Sequence, residues 1–427
     1  MYNITARKNI WHIIIGGTIG NLTEWYNFLL YGYLASVISE LFFPFKNKLL
    51  SLTLVFTVFA LSFFVRPLGG IFFGWIGDTY GRQRALVISL IMLAIPTFLI
   101  GCLPTYDSIG MASPLLLCIF RICQGLSAGG EHTGSAVYIA EYAPPQHRTL
   151  WVSTVPTSAA VGILISSTVS LCIVNDFSNE QLLAWGWRVG FWGGTVLCLI
   201  SIYLRITLPE TPDFKKAQAN KINKRYAIST LLKNPDTFKT FCIVFILSSS
   251  WGIFYQILFI WMPTYLGEIQ NFSNTVALQI NSFYIFLFAC LILVFGYYAD
   301  YISRKLLICI SCIAMLILAY PLFNMLSSGS LQQVNLAMGI FTLIFSLYVS
   351  STFVIMVESF AVQMRYTGLS FGFNIGLAIF GGTCPLIATW LIEITQNNAA
   401  PAFYMMVAAI VALLTCTIIQ DKRGEVI

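Results

Sequence analysis

Four charged residues lie deep inside long apolar stretches: Glu24, Arg66, Arg121 and Glu131. A charge in such a setting costs several kcal/mol unless it is paired, neutralised or turned to water. A carboxyl that can gain or lose its charge is suited to carrying a proton. An arginine stays charged, and its planar fork grips a carboxylate with two hydrogen bonds. Glu24 shares a helix face with Asn21, Asn27, Phe28 and Tyr31, a stripe that must meet protein or a water-filled cavity and not lipid. Glu24 is therefore either a proton carrier or a structural carboxylate locked to a basic partner. Arg121 and Glu131 stand ten residues apart, about 15 Å along one helix. Arg121 fits a substrate anchor or a permanent partner of Glu24 or Glu131, and both hold if a substrate carboxylate competes for it. Glu131 is the second proton-carrier candidate. Arg66 either lines a cavity or ties its helix to a neighbour. His132 is a hydrogen-bonded core residue or, with an ordinary pKa of about 6.5, a modulator of coupling.

The elements that must position these residues follow from composition. Of 427 residues 58% are hydrophobic and only 9% charged, against about 25% charged in soluble chains. Mean hydropathy is +0.80. A water-soluble fold has no polar shell to cover so much apolar surface. The balance excludes a soluble enzyme, a nucleic-acid binder and a disordered chain. It implies an all-α integral membrane protein.

Apolar runs against polar breaks give twelve spans of membrane-crossing length, near 12–37, 50–76, 85–104, 114–139, 150–173, 188–208, 239–264, 276–299, 306–326, 335–360, 368–393 and 401–419. Continuous runs without alternation exclude a β-barrel. With both termini cytoplasmic, 18 Lys and Arg fall inside and 3 outside, counting Arg205 with the long central loop. That bias accounts for the net charge of +6 without nucleic acid. The run before the first polar break is too long for a cleaved leader, so the first helix should remain.

Residues 209–238 are the one long polar, Lys-rich segment and split the chain into halves 1–208 and 239–427. The halves echo each other. Gly74-x-x-x-Asp78 with Arg82 recurs as Gly296-x-x-x-Asp300 with Arg304, offset by 222, and Glu141 with Arg148 recurs as Glu358 with Arg365, offset by 217. Duplicated halves of this type flank a midplane substrate site in secondary transporters. All eleven cysteines sit in apolar stretches as small hydrophobes, and Cys309-x-x-Cys312 has no second pair to make a metal site. No metalloprotease, nucleophile-elbow or phosphate-loop motif is present, so neither an enzyme nor a cofactor or metal site is expected.

The loop Gly74-Trp-Ile-Gly-Asp78-Thr79-Tyr80-Gly81-Arg82-Gln83-Arg84 resembles the signature loop of the major facilitator superfamily, with Thr79 where a basic residue is usual. Other segments look like its metabolite:proton symporter branch, which includes proline/betaine, α-ketoglutarate, citrate and shikimate permeases. They are Glu24-Trp25-Tyr26-Asn27-Phe28 with Tyr31-Gly32, Arg66-Pro67-Leu68-Gly69-Gly70, Arg121-x-x-Gln124-Gly125, Gly129-Gly130-Glu131, Trp185-Gly186-Trp187-Arg188, Glu210-Thr211-Pro212, Met262-Pro263-Thr264-Tyr265-Leu266 and Asn374 through Pro385. Asn27 stands where that family usually has Asp, and His132 where it has an aromatic residue.

The resemblance implies two pseudo-symmetric six-helix bundles working by alternating access. It implies import of a small carboxylate-bearing metabolite (an amino acid, a betaine-like zwitterion or a di- or tricarboxylate) with protons. A proton-driven efflux carrier or a facilitative uniporter of the same fold is the alternative. Glu24 and Glu131 are the proton-coupling candidates. Arg121, Asn27, Tyr31, Gln124, Tyr255, Trp251 and Asn374 are the substrate-binding ones. By family analogy Asp78 latches at the N-terminus of helix 11 and Asp300 at that of helix 5, with Arg82 or Arg304 bridging to groups such as Glu141 and Glu358, and Arg148 and Arg365 joining the gate. The expected partners are a small-molecule substrate, protons and membrane lipid, with no nucleic acid. The expected setting is the inner (cytoplasmic) membrane, as a monomer.

Overall fold

In a computed structural model of the chain, residues 4–219, 233–419, 421 and 423–425 are described. The central part of the segment expected as a linker, 220–232, and Lys422 lie outside the described residues. Before that gap come α1 (Ile4–Tyr33), α2 (Leu50–Tyr80), α3 (Arg82–Cys102), α4 (Ala112–Tyr142), α5 (Pro145–Asp176) and α6 (Asn179–Ile206). After it come α7 (Pro235–Ile269), α8 (Thr275–Ala299), α9 (Arg304–Leu326), α10 (Leu331–Glu358), α11 (Arg365–Thr395) and α12 (Pro401–Cys416). Among the described residues α2 to α11, ten helices, are long and apolar enough to cross a membrane. The 30-residue α1 and the shorter apolar α12 complete twelve. Leucines such as Leu68, Leu115 and Leu386 are exposed on helix faces that carry no polar cover, as lipid-facing surface requires.

The described residues group into two compact units, one from 1–139 with 158–224 and the other from 140–157 with 225–427. The end of α4 and the start of α5 therefore group with the second unit.

Local sequence explains where the helices bend. α2 is broken at Val65, where a helix that begins at Lys48 ends at Phe64 and a second runs over Arg66–Tyr80, because Pro67 supplies no backbone donor to the preceding turn. The break places Arg66 at the start of a helical segment. α2 and α4 cross backbone to backbone: a Cβ at Gly69 would overlap the Leu126 carbonyl, one at Gly125 the Ser62 carbonyl, and one at Gly129 the Arg66 carbonyl. Small residues at such crossings are what brings membrane helices into close contact. In the second unit α7 widens into π-helical turns at Gln256–Trp261 and Tyr265–Ile269, and α11 does so at Leu377–Gly381. Such turns interrupt the regular ladder and frequently mark functional sites.

Candidate functional site

Arg121 is wholly buried in the first unit. Its Nη1 donates to Gln124 Oε1 at 2.9 Å, one turn along α4, and Gln124 Nε2 donates onward to Thr97 Oγ1 of α3 at 2.8 Å. Three rings stand over the guanidinium: Tyr31 at 4.3 Å, Phe28 at 4.8 Å and Phe59 at 5.6 Å from Cζ. Tyr31 donates its hydroxyl to the Val55 carbonyl at 3.2 Å and stacks on Phe59, so its ring is fixed. Nε and Nη2 have no acceptor among the described residues, and no carboxylate among them pairs with Arg121. Those two nitrogens form one edge of the planar group, the edge that a carboxylate meets with two parallel hydrogen bonds. Aromatic faces stabilise the desolvated cation by about 2 kcal/mol.

Glu24 lies on the same face of α1. Its Oε1 accepts from Arg66 Nη2 at 2.8 Å, while its Oε2 is buried with no donor among the described residues. Arg66 also donates to the Ala128 carbonyl at 3.3 Å and sits within 5.7 Å of the Trp25, Phe28 and Phe63 rings. The partner left open by sequence is therefore settled: Glu24 meets Arg66, and Arg121 meets neither glutamate. Arg66 ties α2 to α1.

Glu131 is held quite differently. Arg205 of α6 forks onto it, Nη2 to Oε1 at 2.6 Å and Nη1 to Oε2 at 2.7 Å. Ser89 and Ser135 donate to the same carboxylate, and Arg205 spends its other donors on the Gly16, Gly17 and Leu86 carbonyls. Both partners are saturated with hydrogen bonds. Arg205, counted with the loop cations in the sequence, is in fact fully buried. Its apolar flanks end the sixth run, so only the Ser201–Arg205 spacing marks a polar face there. Glu131→Gln leaves Arg205 buried with half a fork, and a broken buried pair costs about 3–5 kcal/mol. The expected result is a lowered melting temperature and proportionate loss of all transport modes, measured by thermal unfolding of the purified protein beside substrate counterflow.

Asn27 turns to α6. Its Nδ2 donates to the Thr23 carbonyl at 2.9 Å and to Cys198 Sγ at 3.7 Å, and its Oδ1 packs on Gly194. It is placed away from the Arg121 rings. His132 Nδ1 is bonded to Asn21 Oδ1 at 2.7 Å, and Asn21 donates on to Ser158 of α5. In the second unit Trp251 stacks parallel on Tyr255 at 5.0 Å, amid Phe345, Phe373, Phe259 and Phe288. Asn374 Nδ2 donates to the Ser370 carbonyl at 2.8 Å. Among the described residues no group of three or more His, Cys, Asp or Glu side chains is placed to hold a metal ion.

The signature-loop residues form charge networks within each unit. In the first, Arg82 Nη1 donates to Asp78 at 2.9 Å and to the Gly77 carbonyl at 2.7 Å. The backbone N–H groups of Arg82 and Gln83 donate to Glu210, which thus caps α3. Gly81 must be glycine, because its φ is +116° and a Cβ there would run into Glu210. In the second unit Asp300 accepts from the Thr149 and Leu150 backbone N–H groups at 2.9 and 3.0 Å, at the start of α5. Glu358 accepts from Arg148 and Arg304, each at 2.7 Å, and Arg365 donates to Glu141 at 3.0 Å. The Arg304 backbone N–H donates to Asp421 at 3.0 Å, so Asp421 caps α9 as Glu210 caps α3. That third echo of the duplication had no motif to reveal it. Asp300→Asn should weaken the junction by about 1 kcal/mol. Faster amide hydrogen exchange at Thr149 and Leu150 is the expected result, and unchanged exchange would remove the anchoring role.

Duplicated six-helix halves with signature loops and buried charges define a secondary transporter of the membrane, not an enzyme. The chain belongs to the Major Facilitator Superfamily, whose sequence profile matches residues 20–383. It is 32% identical to the glycine betaine/proline/ectoine/pipecolic acid transporter OusA of Dickeya dadantii (strain 3937), over 96% of this chain and 83% of that one. It is 30% identical to the proline/betaine transporter of Escherichia coli (strain K12), over 96% of this chain and 84% of that one. The fold matches the proton:xylose symporter XylE bound to 6-bromo-6-deoxy-D-glucose with a TM-score of 0.80, at 18% identity and 98% coverage of both chains.

Proposed function

We propose that this carrier imports a small carboxylate-bearing zwitterion, of the proline or betaine type, together with protons by alternating access. The observation that carries the reading is the Arg121 fork: Nε and Nη2 have no acceptor among the described residues while three aromatic rings hold the cation in place. A carboxylate fits that edge, and aromatic faces suit the positive end of a zwitterion. The relatives named for proline and betaine support the same class. Tyr31 and Gln124 fix the anchor in the first unit, and Trp251, Tyr255 and Asn374 are the second unit's own candidates for substrate contact. Glu24, held by one hydrogen bond with its second oxygen buried and without a donor among the described residues, is the proton carrier. Glu131, saturated by Arg205, serves the fold of the first unit first and the proton second. Asp78, Arg82, Asp300, Arg304, Glu141, Arg148, Glu358 and Arg365 make and break the gate contacts. The charge bias supports a setting in the cytoplasmic membrane with both termini inside.

The test is uptake of radiolabelled proline and glycine betaine into proteoliposomes with and without an imposed pH gradient. Concentrative uptake that collapses with a protonophore supports the reading. Equilibration alone would make it a uniporter, and accumulation driven only by an outward-directed exchange with protons would make it an efflux carrier.

A further inference from the structure

Two buried guanidinium groups share one ring. The Phe28 centroid lies 5.4 Å from Arg66 Cζ and 4.8 Å from Arg121 Cζ. Trp25 and Phe63 complete the ring set of Arg66, and Tyr31 and Phe59 that of Arg121. Among the described residues Phe28 alone belongs to both. Its ring is locked edge-on against Phe63 at 5.3 Å and Phe59 at 6.2 Å, and it is buried. α1 thus presents Glu24, Phe28 and Tyr31 one turn apart, and α2 presents Phe59, Phe63 and Arg66 at the same rhythm. The crossing through Gly69, Gly125 and Gly129 fixes the two helices that carry the arginines.

We propose that Phe28 is the positioning residue that couples occupancy of the Arg121 fork to protonation of Glu24. This rests on the substrate and proton roles proposed above. The electron-rich faces of one ring are divided between two cations. When a carboxylate enters the fork it neutralises Arg121, which loosens its hold on the ring. Arg66 then gains ring contact at the expense of its single hydrogen bond to Glu24. Glu24, losing that bond, takes a proton from solvent onto a carboxylate oxygen; one O–H bond forms and nothing is oxidised. Release of substrate reverses each step. The charged and titratable groups whose fields also reach this pair are Glu131 and His132 on α4 and Arg205 on α6. Glu131 and Arg205 hold each other in a fork, and His132 is bonded to Asn21, so neither group competes for Phe28.

The experiment measures protons taken up per glycine betaine bound, in weakly buffered detergent solution, and the pH dependence of the dissociation constant. Variants are Phe28→Leu and a protein with pentafluorophenylalanine at position 28, which keeps the ring's shape and reverses its quadrupole. Wild type is expected to take up close to one proton per ligand. At saturating ligand, proton uptake per ligand bound should fall at least threefold in both variants, whatever the change in affinity, and the pH dependence should flatten; Phe28→Trp should restore both. If Phe28→Leu fails to fold, the fluorinated protein decides alone. Wild-type stoichiometry in the fluorinated protein overturns the proposal while leaving the transport reading intact. Absence of proton uptake in the wild type overturns the transport reading itself.

Discussion

Arg121→Lys is expected to weaken binding of a carboxylate substrate by roughly 30-fold or more, about 2 kcal/mol, although the charge is retained. The reason is geometric. Arg121 has one nitrogen committed to Gln124 and two on a single edge with no acceptor among the described residues. Lysine has a compact ammonium without a planar fork, so it can serve Gln124 or the substrate with full strength but not both. Its rounder, more strongly hydrated head also stacks less well within the Tyr31, Phe28 and Phe59 rings. Isothermal titration or a thermal-shift series with glycine betaine and proline reads the effect. An affinity within about twofold of wild type, a difference of under about 0.5 kcal/mol, would place the anchor elsewhere.

Glu24→Gln should give the second large effect, and of a different kind. Uphill accumulation under a pH gradient should fall to background while counterflow persists. A glutamine imitates the protonated glutamate and cannot release a proton. Its carbonyl oxygen can keep the hydrogen bond from Arg66, and the Trp25, Phe28 and Phe63 rings still face that cation. Folding should therefore tolerate the change, in contrast to Glu131→Gln, whose partner depends on both carboxylate oxygens. The pair of variants separates a proton site from a structural one in a single assay. Continued concentrative uptake by Glu24→Gln would remove Glu24 from the coupling and favour a carrier driven by another ion.

Much of the architecture was legible because a membrane imposes one strong rule, that each crossing be a long apolar helix. The twelve spans and the depth of Glu24 and Arg121 follow from it, and the duplicated signature loops were legible from their repeated spacing. Partner choice was not legible. Glu24, Arg66, Arg121 and Glu131 all lie deep within spans, and periodicity gives a helix face without its azimuth toward a neighbour. The Gly125-x-x-x-Gly129 spacing announces a close helix approach, but not that its partner is α2 or that Arg66 then meets Glu24 of α1. Arg205 was hidden by standing at the edge of its span, in line with the loop cations. Asn27 shares the stripe of Glu24, yet it meets Gly194 and Cys198 of α6, because a stripe wide enough for five residues faces more than one helix. Glu210 and Asp421 were missed as caps because each acts on a helix far away in sequence.

The Glu131–Arg205 fork also bears on the order in which the chain is built. Helices enter the bilayer in sequence as they leave the ribosome, and α4 brings both Arg121 and Glu131 with it. Each such charge at mid-span costs about 2.5–3.5 kcal/mol at insertion. Arg66 is already in place for Glu24 when α2 arrives, but the partner of Glu131 is not synthesised until the last turns of α6. The nascent α4 therefore waits for α6, held in the meantime by its apolar flanks or by the insertion machinery. Biogenesis of the first half is then cooperative over six helices, and a chain cut before Arg205 should be recognised and degraded as incomplete.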